Sequence, residues 1–220
     1  AAERYRRKRM EVLTLTEQYY ICAANRAGKL SGMTSYGPAG AVAAGIMDLA
    51  LSGMIKISRT HAETTEENPQ LPEYLSLLYQ DIKKARSGNL KKVMETYVMA
   101  LTDKKYRAYL NALLAELERK GAAHREKISG FFGEKTQVAI DATVRARLME
   151  RLCAAFDGER PADEIEEDVM LLALFLKKTG VLKGRVDAET YRKIAVKLRE
   201  GRKLPKNKAA FELIDYVEEI

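Results

Sequence analysis

Apolar residues in this chain return at intervals of three and four, and glycine, proline and short polar caps cut the pattern into segments. That spacing places them on one face of an α-helix, where 3.6 residues complete a turn. Residues 103–120 show it best, with Tyr106, Tyr109, Leu110, Leu113, Leu114 and Leu117 on one face. Asp103 offers an N-cap and Gly121 ends the segment. Thr14 and Glu17 have capping-box spacing and predict a helix over 15–25. Pro38 suits a first helical turn and opens a helix over 38–52 that Gly53 closes. That helix is built from Ala and Gly all round, so it should be buried in close contact with its neighbours. Further helices are expected over 72–86, 90–101, 141–156, 161–178, 188–200 and 208–219, with Asp141 and Asp187 capping theirs.

Two stretches break the helical period. Residues 54–58 alternate and read as a short strand, and the polar stretch 59–71, with Asn68-Pro69, reads as a loop. Between 122 and 140, Gly130 and Gly133 flank Phe131-Phe132, which suggests a hairpin or two-stranded wing near 128–140. The sequence shows no internal repeat or low-complexity linker. The expected fold is mostly α, with one compact multi-helix domain over 12–220, a short β-hairpin and a short strand. A basic tail, 1–11, precedes it.

Hydrophobic residues make up 46% of the 220, enough for one large core. The net charge of +7 favours polyanionic partners, either nucleic acid or an anionic membrane. In the tail, Arg4, Arg6, Arg7, Lys8 and Arg9 form an electrostatic arm or a solvated run. The longest apolar run, 169–176, falls far short of the roughly 20 residues that span a bilayer. If a membrane is involved, the chain lies against it. Cys22 and Cys153 sit in helical apolar patterns, as in a protein of the reducing cytoplasm.

Catalytic signatures are absent. His61 and His124 lie in no metal-ligand spacing, and nucleophile-elbow, P-loop and dinucleotide motifs do not occur. Asp163, Glu164, Glu166, Glu167 and Asp168 cluster where a helix should begin, and acids there offset the helix dipole. Asp48 falls in the small-residue helix and, once buried, requires a paired charge or several hydrogen bonds; pairing with Lys or Arg is the commoner solution. The reading is a non-enzyme without metal or cofactor.

Residues 13–18, Leu-Thr-Leu-Thr-Glu-Gln, followed by a Gly-containing loop and then by 46–57, Ile-Met-Asp-Leu-Ala-Leu-Ser-Gly-Met-Ile-Lys-Ile, carry a resemblance. Asp48, Leu49, Ala50, Leu51 and Gly53 resemble the acid-Leu-Ala-Leu-x-Gly block of the Golgi phosphoprotein 3-like family. The run 117–121 and the Leu171-Leu-Ala-Leu helix are similar to later parts of that family, so the likeness covers about 12–199. The shorter loops point to a prokaryotic member. The resemblance implies a helical domain with a protruding hairpin, binding of phosphatidylinositol 4-phosphate, and recruitment of membrane-protein tails. Its lipid pocket combines an aromatic residue with basic residues on two helices. By position, Met33 stands where the aromatic falls and Val42 where a basic residue falls; Arg107 matches one cation and Leu110 replaces the next, with Lys104 and Lys105 close by.

Three readings follow. The first is a cytoplasmic peripheral membrane adaptor whose tail, Lys104, Lys105 and Arg107 face anionic lipid. The second is a winged-helix nucleic-acid binder, ranked well below because 37–52 presents no cation or amide to a base edge. The third is an interaction scaffold that self-associates through Phe131 and Phe132.

Overall fold

Thr14 opens the first helix, α1 (Leu15–Ala23), through a reciprocal capping box with Glu17. The computed structural model describes residues 13–30, 36–85, 88–99, 102–130, 133–158 and 160–218. Helix α1 stops two residues short of expectation, because Ala24 turns to an extended conformation (ψ 147°). Helix α2 (Gly37–Leu51) follows and is buried over nearly its whole length, as its small residues predict. It packs against α1 and four later helices. A Cβ at Gly45 would sit 2.5 Å from Leu78 Cδ1 and 2.7 Å from the Tyr109 hydroxyl, so only glycine allows those neighbours so close.

Strand β1 (Ile55–Ser58) pairs antiparallel with β2 (His61–Thr64), Ile55 opposite Thr64. The stretch expected to be a loop therefore contains a strand. Its turn is carried by Arg59 at φ 52°, where short hairpins ordinarily use Gly, Asn or Asp, so the usual turn signal was missing.

Helices α3 (Glu73–Lys84), α4 (Leu90–Val98) and α5 (Lys104–Arg119) come next. Asp103 is in the N-cap position of α5 but makes no side-chain cap; its carboxylate holds Arg107 instead. Gly121, at φ 70°, ends α5 as expected. Strands β3 (Ala123–Gly130) and β4 (Gly133–Ile140) then form a hairpin longer than expected, in register from Ala123 opposite Ile140 to Gly130 opposite Gly133. Its charged first half carries little strand propensity. Cross-strand contacts such as Gln137 Nε2 to Glu126 Oε1 (2.6 Å) support the pairing there.

Asp141 caps α6 (Ala142–Phe156) through the amides of Thr143 and Val144. The single helix expected over 161–178 is broken in two. A 3-10 turn, Ala162–Glu164, precedes α7 (Glu167–Lys178), because Ile165 turns inward on an extended backbone. The acidic cluster is split accordingly, and Glu166 and Asp168 pair with Arg151. Helices α8 (Ala188–Gly201) and α9 (Lys208–Asp215) complete the chain, α9 ending in a 3-10 turn, Tyr216–Glu218. Among the described residues the fold is mostly helical with two small two-stranded antiparallel sheets. Buried apolar side chains from all nine α-helices of the described residues join in one contiguous cluster.

Candidate anionic-surface site

The residues of the opening motif meet in the interior. Asp48 of α2 caps α1 from outside: its Oδ1 accepts Leu15 N (2.8 Å), and its Oδ2 accepts Thr16 N (2.9 Å) and Thr16 Oγ1 (2.6 Å). Three hydrogen bonds from a helix N-terminus, not the Lys or Arg partner expected, therefore hold this carboxylate. Beside it, Glu17 is fully buried and receives Lys120 Nζ at 2.8 Å on both oxygens. Burial pushes the Glu17 carboxyl up, and Lys120 offsets only part of that. The Tyr74 hydroxyl stands 2.9 Å from Thr14 Oγ1 and closes the network. These groups tie α1, α2, α3 and the end of α5 together. They are a structural joint, with every carboxylate oxygen engaged.

The basic residues expected at the start of α5 are exposed and lie beside the end of α4. Lys104 has no ion-pair partner among the described residues. Lys105 leans across the Tyr97 ring (5.8 Å to its centroid), with Nζ 3.1 Å from Asp81 Oδ2. The Arg107 guanidinium is bound by Asp103 at 2.6 Å, one turn back. Of the three cations, two are thus partly neutralised. Met33, Arg4, Arg6, Arg7, Lys8 and Arg9 of the expected site, and Phe131 and Phe132 of the expected self-association surface, lie outside the described residues. Val42 is wholly buried in the core and cannot reach a headgroup, while Leu110 is half-buried on α5.

Sequence reasoning missed the α4 side. Lys92, Thr96 and Met99 line, with Glu95, Thr102, Lys104 and Lys105, one open groove of about 810 Å³. Met99 is 61% exposed, the most exposed large apolar side chain among the described residues. The spacing of 92, 96 and 99 is four and then three, so one helix face carries all three. That spacing is present in the sequence, behind the stronger apolar periodicity of Leu90, Val93, Met94 and Tyr97 in the same segment. Like Lys104, Lys92 is exposed and without an ion-pair partner among the described residues. The groove therefore offers two unneutralised ammonium groups around an apolar tip.

Among the described residues no group of three His, Cys, Asp or Glu could hold a metal ion. No helix among them is long and apolar enough to cross a membrane. His61 and His124 are both exposed, on β2 and β3. Cys22 is buried, which pushes its thiol up to about 12, and Cys153 is half-buried on α6.

No curated protein matches the chain. The family model described as Golgi phosphoprotein 3 (GPP34) matches residues 15–220. That match takes in the Asp48–Thr16 and Glu17–Lys120 joint and every helix of the fold, and the chain belongs to the Golgi phosphoprotein 3 family.

Proposed function

We propose that this protein is a non-enzymatic peripheral membrane adaptor that docks on anionic lipid headgroups through the end of α4 and the start of α5. The observation that carries the reading is the pair of exposed ammonium groups, Lys92 and Lys104, without an ion-pair partner among the described residues and flanking the exposed Met99 on one groove. Cations at an anionic leaflet contribute about 1 kcal/mol each, and an apolar tip adds to that by entering the interfacial region. The family is one of phosphatidylinositol 4-phosphate-binding peripheral membrane proteins, which nominates that headgroup. The basic tail, through Arg4, Arg6, Arg7, Lys8 and Arg9, would add charge to the same surface. Membrane-protein tails are the partner class that an adaptor so docked would present.

The docking is electrostatic, so it should weaken as salt shortens the screening length. Vesicle flotation tests it, with neutral, generic anionic and phosphatidylinositol 4-phosphate vesicles at low and physiological salt. Lys92→Glu with Lys104→Glu should abolish retention on anionic vesicles at physiological salt. Equal retention of this variant and the wild type would remove the groove from the mechanism.

A further inference from the structure

A second cationic cluster lies at the other end of α5. Asp141 N donates to Ala122 O (2.9 Å), so α6 begins where α5 and its stop residue end. From the first turns of α6, Arg145 reaches the end of α1, where Nε donates to Ile21 O (2.8 Å) and Nη2 to Asn25 O (3.3 Å). Arg185, from the segment between α7 and α8, places Nη2 on Ala24 O (2.9 Å) and Ala23 O (3.4 Å). The two guanidiniums thus grip carbonyls between Ile21 and Asn25, in the last residues of α1 and the two that follow it. Arg26 stands on the turn that follows. It and Arg185 both push the Arg145 guanidinium below its ordinary pKa, with burial the larger cause.

Five arginines of this fold are matched by carboxylates: Arg107 by Asp103, Arg119 by Glu116, Arg125 by Glu118, Arg151 by Asp168, Arg202 by Asp215. Among the described residues no carboxylate pairs with Arg26, Arg145 or Arg185. Capping α1 explains part of the arrangement, since its last turn has no basic residue of its own. A helix C-terminus carries only about half a negative charge, however, and three guanidiniums exceed it several-fold. Nη1 of Arg145, and Nε and Nη1 of Arg185, are without an acceptor among the described residues. Held in place through their other nitrogens, they are ordered donors at fixed positions, the arrangement that oxyanions of phosphate geometry select.

We propose that Arg145 and Arg185, with Arg26 beside them, form a phosphate-monoester binding site at the C-terminal end of α1. The ligand's oxygens accept the free Nη1 and Nε donors, and its charge satisfies a cluster that the fold leaves unneutralised. The site is separate from the groove of Lys92 and Lys104 and stands whether or not that groove docks on lipid. Two sources share the chemistry, a phosphorylated lipid headgroup and a free phosphorylated small molecule.

The test is calorimetric titration of the full chain with inorganic phosphate and with glycerol phosphate, alongside thermal unfolding of each sample. Wild type should bind saturably. Arg26→Ala with Arg185→Ala should weaken binding by about tenfold or more, as expected for lost charge-assisted hydrogen bonds. If the double alanine variant does not fold, Arg26→Ala alone serves, because that side chain makes no hydrogen bond among the described residues; it should weaken binding by about threefold, as for one charge removed. Absence of saturable binding to the wild type, or equal binding by the folded arginine variants, would overturn the site. Flotation on phosphatidylinositol 4-phosphate vesicles then assigns the source. Loss of retention in the arginine variant assigns the site to the lipid headgroup, and unchanged retention beside weakened phosphate binding assigns it to a free phosphorylated molecule.

Discussion

Glu17 and Lys120 lie 103 residues apart in the chain, yet they form the one salt bridge whose two side chains are both nearly shut off from water among the described residues. Removing one partner strands a buried charge, and such losses cost about 3–5 kcal/mol. Lys120→Ala should destabilise the fold by that amount in urea denaturation. Glu17→Gln with Lys120→Met should recover much of the loss, because neither charge is then left alone. An additive double variant would show that the pair does not act as a unit. Half of this joint was legible in the sequence. The Thr14–Glu17 capping box is a local pattern, and it occurs as read. The partner of Glu17 was not legible, because no local rule links position 17 to position 120. Asp48 was recognised as a buried carboxylate in need of partners, but they proved to be backbone amides and a hydroxyl of α1, which carry no signature in a sequence.

Helix α2 was legible as a buried element because Ala and Gly occupy every face of it. Its closeness to α3 and α5 can be tested at Gly45, where a side chain meets Leu78 and Tyr109. Gly45→Val should cost about 1–3 kcal/mol by overpacking, read as a lower thermal midpoint. An unchanged midpoint would mean the neighbouring helices yield at no cost. Caps were also legible, and Asp187 of α8 gives a pH signature. Its carboxylate accepts the Thr190 amide and hydroxyl and the Glu189 amide, which holds its pKa below the ordinary 3.8. That stabilisation is complete above 3.8 and is lost as pH falls through the lower folded-state value. Asp187→Asn keeps a cap without the charge, so stability should fall less steeply below pH 3.8, measured by denaturant titration across acid pH. A slope equal to wild type would contradict the assignment. Strand β2 and the broken helix before α7 were not legible. The first hides behind a turn centred on Arg59, and the second behind Ile165, whose burial on an extended backbone interrupts an otherwise helical period.

At the scale of the molecule, a net charge of +7 is distributed unevenly in its consequences. Arg107, Arg119, Arg125, Arg151 and Arg202 face carboxylates of the same fold, while among the described residues Lys92, Lys104 and the Arg26–Arg145–Arg185 cluster do not. Of the cations visible at the start of α5 in the sequence, Lys105 and Arg107 are partly used up by Asp81 and Asp103. Only the folded chain brings Lys92 and Met99 of α4 beside Lys104. Membrane docking through that groove is the central claim, and flotation of the full chain with anionic vesicles at low and physiological salt tests it most directly. The expected result is retention on anionic but not neutral vesicles, strongest with phosphatidylinositol 4-phosphate, weakened by salt and lost in Lys92→Glu with Lys104→Glu. Failure to float with any anionic vesicle at low salt would contradict it.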